Sequence, residues 1–356
     1  MHKLPTLNSL ETTGKRVLLR MDLDVDNDFT RIELSAGTLK FLKEKNSKII
    51  ILGHKGRPEG KVVPELSLGY LSSVISRISG MDVEFSSDIT GDNVRQKTQE
   101  LAEGKILLLE NLRFHPGEET NDPEFVQSLS LLGEFYVIEA FAVSHREHAS
   151  ITGLPKVLPH AAGLRLEREV LTLSSIWEEP KRPVTAVISG VKKDKIERIA
   201  SILDITDKVL VGGKLPIYLD QEMPQNKEEE FLQSVKDAIP VVAASEKVVI
   251  GKLIPDTQDI TLHTIEIFKE EISKAGTIIL AGVPGKYEDE GHRQGTKEVF
   301  EAIANSSAFK VAGGGDAEAA ITLFGLNDKF DWISVGGGAM LEFIAKRTLP
   351  GIDALL

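Results

Sequence analysis

Lys-Ile-Ile-Ile-Leu-Gly-His-Lys-Gly-Arg-Pro, residues 48–58, is the stretch that decides the fold class. Ile49 to Leu52 is a short, unbroken apolar run closed by Gly53, which reads as a strand covered on both faces, the pattern of a parallel sheet flanked by helices. The same pattern recurs outward from it. Arg16 to Leu19, Val83 to Phe85, Ile106 to Leu109 and Phe135 to Ile138 read as further strands. Leu34 to Lys45, Leu66 to Ser79 and Asp122 to Leu132 fill the intervals as helices, the last opened by Asp122 and Pro123. A second series then starts, with strands expected at Val184 to Ile188, Lys208 to Val211, Pro240 to Ala243, Thr277 to Leu280, Phe309 to Val311 and Trp332 to Val335. Between the series, Leu164, Leu166, Val170, Leu171 and Ile176 fit a helix that ends near Pro180. The expectation is an α/β chain of two doubly wound parallel-sheet domains, residues 1–165 and 181–344, joined by a helix at 166–180.

Composition narrows the function. A chain of 356 residues is too long for one typical domain. A formal charge of -12 argues against non-specific nucleic-acid binding, which needs a positive surface. The absence of Cys excludes a disulfide framework, a thiolate nucleophile and Cys-ligated metal sites. No apolar run approaches the roughly 18 residues that span a bilayer, and Met1 to Lys15 lacks the apolar core of a signal peptide. A cytoplasmic protein without nucleic-acid or membrane partners is expected. If so acidic a chain binds a small polyanion, it needs a local basic cluster.

Such a cluster is legible at the strand ends of the first half. Arg20 and Asp22 close the first strand and Arg31 follows; His54, Gly56 and Arg57 follow the second; Arg113 and His115 follow a third; His145, Arg146 and His148 follow a fourth. Loops at the carboxyl ends of parallel strands share one edge of the sheet, so these side chains should converge. Guanidinium forks match phosphate and carboxylate oxygens. The competing reading is of scattered, locally paired surface charges; it suits any single Arg better than it suits the set. A metal at His145 and His148 is rejected, because no third ligand has a fitting spacing and Arg146 would repel a cation.

The second half carries glycine loops after its strands, at Gly212-Gly213-Lys214, Gly313-Gly314-Gly315-Asp316 and Gly336-Gly337-Gly338. Such loops let backbone N–H groups approach phosphate, although each alone is equally a packing device. There is no Walker A loop and no Gly-x-Gly-x-x-Gly fingerprint. Lys192 and Lys195 stand beside a strand end, either as cations for a moving phosphoryl group or as a solvated helix start.

From about Arg16 onward, the order of motifs resembles the phosphoglycerate kinase family. The matches are Gly-His-Lys-Gly-Arg-Pro at 53–58, Leu-Leu-Glu-Asn-Leu-Arg-Phe-His at 108–115, Gly-Glu-Glu-Thr-Asn-Asp-Pro-Glu-Phe at 117–125 and Glu-Ala-Phe-Ala-Val-Ser-His-Arg-Glu-His-Ala-Ser at 139–150. Gly-Gly-Gly-Asp at 313–316 and Gly-Gly-Gly-Ala-Met-Leu-Glu-Phe at 336–343 continue it. The resemblance implies two domains facing a cleft, with a tail, about residues 345–356, packed back on the first, and a monomer. It implies that Asp22, Asp24, Arg31, His54, Arg57, Arg113 and Arg146 bind 3-phosphoglycerate or 1,3-bisphosphoglycerate. ATP or ADP would be held by Lys192, Lys195, Gly212, Gly213, Gly282, Glu288, Gly314, Gly315, Asp316, Gly337 and Gly338, with Asp316 associated with the nucleotide's Mg2+. Arg31, Lys192, Gly315 and Gly338 take the catalytic roles in glycolytic phosphoryl transfer.

Departures from the family pattern cluster on the nucleotide side. The spacing from Lys192 to Lys195 is one residue short, Gly212-Gly213-Lys214 replaces Gly-Gly-Gly-Met, Ala281 replaces an Asn and Ala317 a Thr. On the substrate side, Asp22-Leu23-Asp24-Val25-Asp26 replaces Asp-Phe-Asn-Val-Pro, adding carboxylates near an anion. Lys55 is expected to neutralise Asp24, and Lys214 or Lys286 to replace lost donors. The leading expectation is an active phosphoglycerate kinase. The alternatives are a weakened or inactive homologue that retains phosphoglycerate binding, and a kinase acting on another small carboxylate or phosphate acceptor.

Overall fold

The computed structural model describes residues 3–219 and 232–356. The chain divides into two compact units, Met1–Leu171 with Thr348–Leu356, and Thr172–Arg347. Each unit is built on a parallel sheet that is six-stranded among the described residues.

In the first unit the strands are β1 (Arg16–Arg20), β2 (Lys48–Leu52), β3 (Val83–Ser86), β4 (Ile106–Leu109), β5 (Phe135–Ile138) and β6 (His160–Ala162), in spatial order β3-β4-β2-β1-β5-β6. β1 lies at the centre, with Arg16 opposite Lys48 on one side and Val17 opposite Phe135 on the other. Ile49 to Leu52 are fully buried, as two covered faces require. At about 2 kcal/mol for each buried aliphatic side chain, such runs are what hold the sheet. The helix Pro123–Ser130 starts where the sequence predicts, because Asp122 accepts the Phe125 N–H at 2.9 Å and Pro123 occupies the first turn. The single helix expected over 34–45 is instead Thr30–Leu34 and Ala36–Glu44, broken at Ser35.

In the second unit the strands are β7 (Val184–Ile188), β8 (Lys208–Val211), β9 (Val248–Ile250), β10 (Thr277–Ala281), β11 (Phe309–Gly313) and β12 (Trp332–Ser334), in order β12-β11-β10-β7-β8-β9. This is the doubly wound order whose direction reverses between β7 and β10, where ligands of such sheets bind beyond the carboxyl ends of the strands. The strand expected at Pro240 to Ala243 is wrong. Those residues end the helix Gln233–Ala243, whose buried Val235, Ala238 and Val242 recur at helical spacing. Pro240 removes one backbone donor from that helix. Of the two edge strands, β12 is expected from the sequence and β9 is covered by no expectation.

The helix Leu164–Glu178 runs through the residue at which the two units divide. Its first turn is held by Glu139, at the end of β5, whose carboxylate accepts the Arg165 N–H at 3.2 Å and the Leu166 N–H at 3.0 Å. Thr38 donates its hydroxyl to the same carboxylate and accepts the Leu164 N–H at 2.9 Å. Burial pushes the Glu139 carboxyl up to about 7, against these donors and Arg165. The segment Thr348–Leu356 packs on the first unit, where the Gly351 N–H reaches the Ser144 carbonyl at 2.8 Å. No helix among the described residues is long and apolar enough to cross a membrane.

Candidate functional site

Loops leaving β1, β2, β4 and β5 enclose a cavity of about 420 Å³ in the first unit. Of the residues expected on the anion side, Asp24, His54, Arg57, Arg113 and Arg146 line it, with Glu119, His145 and His148. Asp22 and Arg31 are paired beside it: Arg31 Nη1 lies 3.3 Å from Asp22 Oδ2 and 3.4 Å from the Asp24 carbonyl. Asp22 is buried, which raises its carboxyl, while Arg31 and Arg20 pull it down.

Gly56 ties the wall together. Its N–H donates to Asp24 Oδ1 at 3.0 Å, and its carbonyl accepts Arg113 Nη1 at 2.7 Å. Arg113 also lies 3.3 Å from Glu119 Oε1, while Arg57 and Arg146 are exposed to the cavity's solvent. Lys55 does not neutralise Asp24. It pairs with Asp26 at 3.0 Å and stands 4.7 Å above the Tyr70 ring, with the Tyr70 hydroxyl at 3.0 Å, because the ring and hydroxyl together draw the ammonium away. His115 is also used locally, accepting the Gly117 N–H at 3.1 Å and stacking on Phe125.

A polar network that sequence reasoning missed lies beneath this wall. Arg20 is 1% exposed, and its Nε donates to Ser150 Oγ at 2.9 Å. Its Nη1 donates to the Met21 carbonyl, and its Nη2 stands 2.9 Å from His54 Nδ1. Ser150 in turn gives its hydroxyl proton to Glu118 Oε1 at 2.6 Å and its N–H to Oε2 at 3.0 Å. Burial first, then Arg20 and Arg113, hold the His54 imidazole well below its usual range. Burial and Arg113 likewise push His148 down to about 3. Both rings are therefore neutral at pH 7, and three guanidinium groups face two carboxylates across the cavity. Residue types at strand ends gave a signal for Arg20; no spacing rule brings Glu118 and Ser150 to it.

In the second unit, Lys195 sits at the reversal point of the sheet. Its Nζ donates to the carbonyls of Ser189, after β7, at 2.5 Å, and of Ala281, ending β10, at 3.3 Å. Burial pushes this ammonium down to about 8, with nearby Lys192 adding to the shift and Asp316 opposing it. Lys192 is exposed. Gly213 and Gly282 have φ of 63° and 90°, and a Cβ would stand 2.3 Å from Gly190 N and 2.1 Å from Ser189 O respectively. The N–H groups of Gly212 and Gly213 are already bonded to the Ile188 and Pro284 carbonyls, so what these residues offer an approaching anion is the absence of a side chain.

The two remaining glycine loops lie side by side, since a Cβ on Gly337 would stand 2.5 Å from Gly314 Cα. They open the helices Gly315–Leu323 and Gly337–Lys346, and Gly315 and Gly338 face open space. Two helix N-termini, neither with a side-chain cap hydrogen bond among the described residues, thus open from neighbouring loops, an arrangement suited to phosphate. Asp316 is exposed in the first turn of one of them. Tyr287 lies within reach of both Asp316 and Glu288, whose charges add to burial in raising its phenol. Lys286 is turned toward Asp289, at 4.0 Å.

A profile of the family described as phosphoglycerate kinase matches residues 7–239 and 225–347. The chain is 37% identical over 388 aligned residues to a phosphoglycerate kinase of Finegoldia magna, covering 98% of each chain. It is 33% identical to one of Pseudothermotoga lettingae, covering 100% of this chain and 99% of the relative. The crystal structure of phosphoglycerate kinase from Pyrococcus horikoshii OT3 is similar with a TM-score of 0.86 at 28% identity, over 99% of this chain and 98% of that one.

Proposed function

The chain belongs to the phosphoglycerate kinase family, and we propose that it transfers a phosphoryl group reversibly between ATP and the carboxylate of 3-phosphoglycerate, giving ADP and 1,3-bisphosphoglycerate. Family membership makes it a kinase of glycolysis. What supports the substrate assignment is the cavity of the first unit, where Arg57, Arg113 and Arg146 surround a neutral His54. A small anion carrying a phosphate and a carboxylate suits forked cations at several angles around one uncharged donor.

In this reading a carboxylate oxygen attacks the γ-phosphorus, the bond from that phosphorus to the ADP oxygen breaks, and the electron pair stays on ADP. The attacking group is already deprotonated, so no proton changes hands and no phosphoenzyme forms. The work left to the protein is positioning and charge stabilisation. Arg31 and the cavity arginines would orient the phosphoglycerate. Lys192 would stabilise charge on the transferring group, and the N–H groups opening at Gly315 and Gly338 would take phosphate oxygens. Glu288 would meet the ribose.

Asp316 fits a magnesium ion carried by the nucleotide. It is an exposed oxygen donor at a phosphate-suited helix start, and magnesium commonly keeps one carboxylate, phosphate oxygens and water. Among the described residues no group of three or more His, Asp or Glu is arranged to hold a metal by itself. Bound there, the ion would neutralise phosphate charge. A cytoplasmic monomer is the setting we propose. A coupled assay with saturating Mg-ATP and 3-phosphoglycerate tests the reading; turnover no greater than that of a Lys192→Ala control would defeat it.

A further inference from the structure

We infer that Glu118, Ser150 and Arg20 form a positioning chain that presents His54 to the phosphoglycerate cavity as an Nε2–H donor. The inference rests on the phosphoglycerate reading of that cavity and adds three residues that do not line it. It begins from the direction of each hydrogen bond. A guanidinium has donors and no acceptor, so the 2.9 Å contact from Arg20 Nη2 obliges His54 Nδ1 to accept. A neutral imidazole carries one proton, which must then lie on Nε2. Protonating both nitrogens would set an N–H against the guanidinium, which burial and the neighbouring charges also oppose.

The orientation of Arg20 is fixed in the same manner. Ser150 has one hydroxyl proton and gives it to Glu118 Oε1 at 2.6 Å, so its lone pair faces Arg20 Nε at 2.9 Å. The Ser150 N–H binds the second oxygen of Glu118 at 3.0 Å, and Glu118 is fully buried. Tyr136 holds the same residue by donating to the Ser150 carbonyl. Carboxylate, hydroxyl, guanidinium and imidazole thus follow one another, each setting the direction of the next. A pair serving only to offset buried charge would join Arg20 to Glu118 directly. Here the Ser150 hydroxyl stands between them, and Nη2 is left for the ring.

The test is nitrogen-15 NMR of the full chain with labelled histidines, alongside steady-state kinetics. In the wild-type protein His54 is expected to remain the neutral Nε2–H form from about pH 5.5 to 8, and its ring signals to move when 3-phosphoglycerate is added. Ser150→Ala breaks the chain at its middle. It is expected to mix the two tautomers and to raise the KM for 3-phosphoglycerate by about tenfold, the order of one hydrogen bond, with the KM for ATP changed less than about twofold. Glu118→Gln, which keeps the side-chain shape, should move both readouts in the same direction and serves if Ser150→Ala does not fold. An Nδ1–H or doubly protonated His54 at pH 7 in the wild-type protein overturns the positioning role, as do equal losses for both substrates in the variants. A His54 of the expected form whose signals ignore 3-phosphoglycerate overturns the cavity reading beneath it instead.

Discussion

Replacing Glu139 by Gln should change how stability depends on pH. The wild-type carboxyl moves from 4.5 in the unfolded chain to about 7 in the fold, because burial outweighs Thr38 and the Arg165 and Leu166 N–H groups. A folded value above the unfolded one means that the native state binds the proton more tightly. The stability contributed by protonation is therefore full below pH 4.5 and is lost as pH rises through 7. At 1.36 kcal/mol per pKa unit, the loss between pH 4.5 and 8 is about 3 kcal/mol. Glutamine does not titrate, and its carbonyl can still accept from the helix start. Urea unfolding of both proteins at each pH isolates the effect, since every other titrating group cancels in the difference. The variant should gain about 3 kcal/mol relative to wild type across that range. A difference that stays constant with pH would show that the helix terminus and Thr38 hold the carboxylate charged, and would refute the reasoning.

Three further outcomes are expected. Asp24→Asn keeps an oxygen for the Gly56 N–H and removes one of two carboxylates facing three guanidinium groups, so the KM for 3-phosphoglycerate should fall several-fold, and by less at high salt. Arg57→Ala or Arg146→Ala should weaken 3-phosphoglycerate binding in calorimetry by about tenfold or more and leave nucleotide binding nearly unchanged; equal losses would contradict the division of labour. Gly351→Val places a Cβ 2.8 Å from Ile151 Cγ2 and 3.1 Å from Ser144 Cα, so it should cost about 1–3 kcal/mol in urea unfolding and raise the KM for 3-phosphoglycerate, because both neighbours flank Arg146 and His148.

The strands were legible where the apolar run was long enough to admit one reading. Ile49 to Leu52 and Val184 to Ile188 could only be covered strands. β6 and β9, at three residues each, are not expected from the sequence, unlike the equally short β12. Pro240 to Ala243 is expected as a strand, whereas the buried Val235, Ala238 and Val242 show the face of a helix that begins at Gln233. On the anion side, the positions of Arg57, Arg113 and Arg146 at strand ends announced their convergence. The partners of buried groups did not announce themselves: residues 20, 118 and 150 meet only through tertiary packing. The same holds for Lys195, whose carbonyl partners are set by the adjacency of β7 and β10.

The packing of Thr348–Leu356 on the first unit has a consequence for synthesis. Ribosomes extend a chain from its amino end, and domains generally fold in that order as they emerge. Here Gly351, which braces Ser144 and Ile151, is translated only after the whole of Thr172–Arg347. The half of the protein that is made first must wait, with one loop unpropped, until the half made second has left the exit tunnel. A nascent chain stalled before residue 348 would carry every cavity arginine and still lack the piece that braces the loop bearing Arg146.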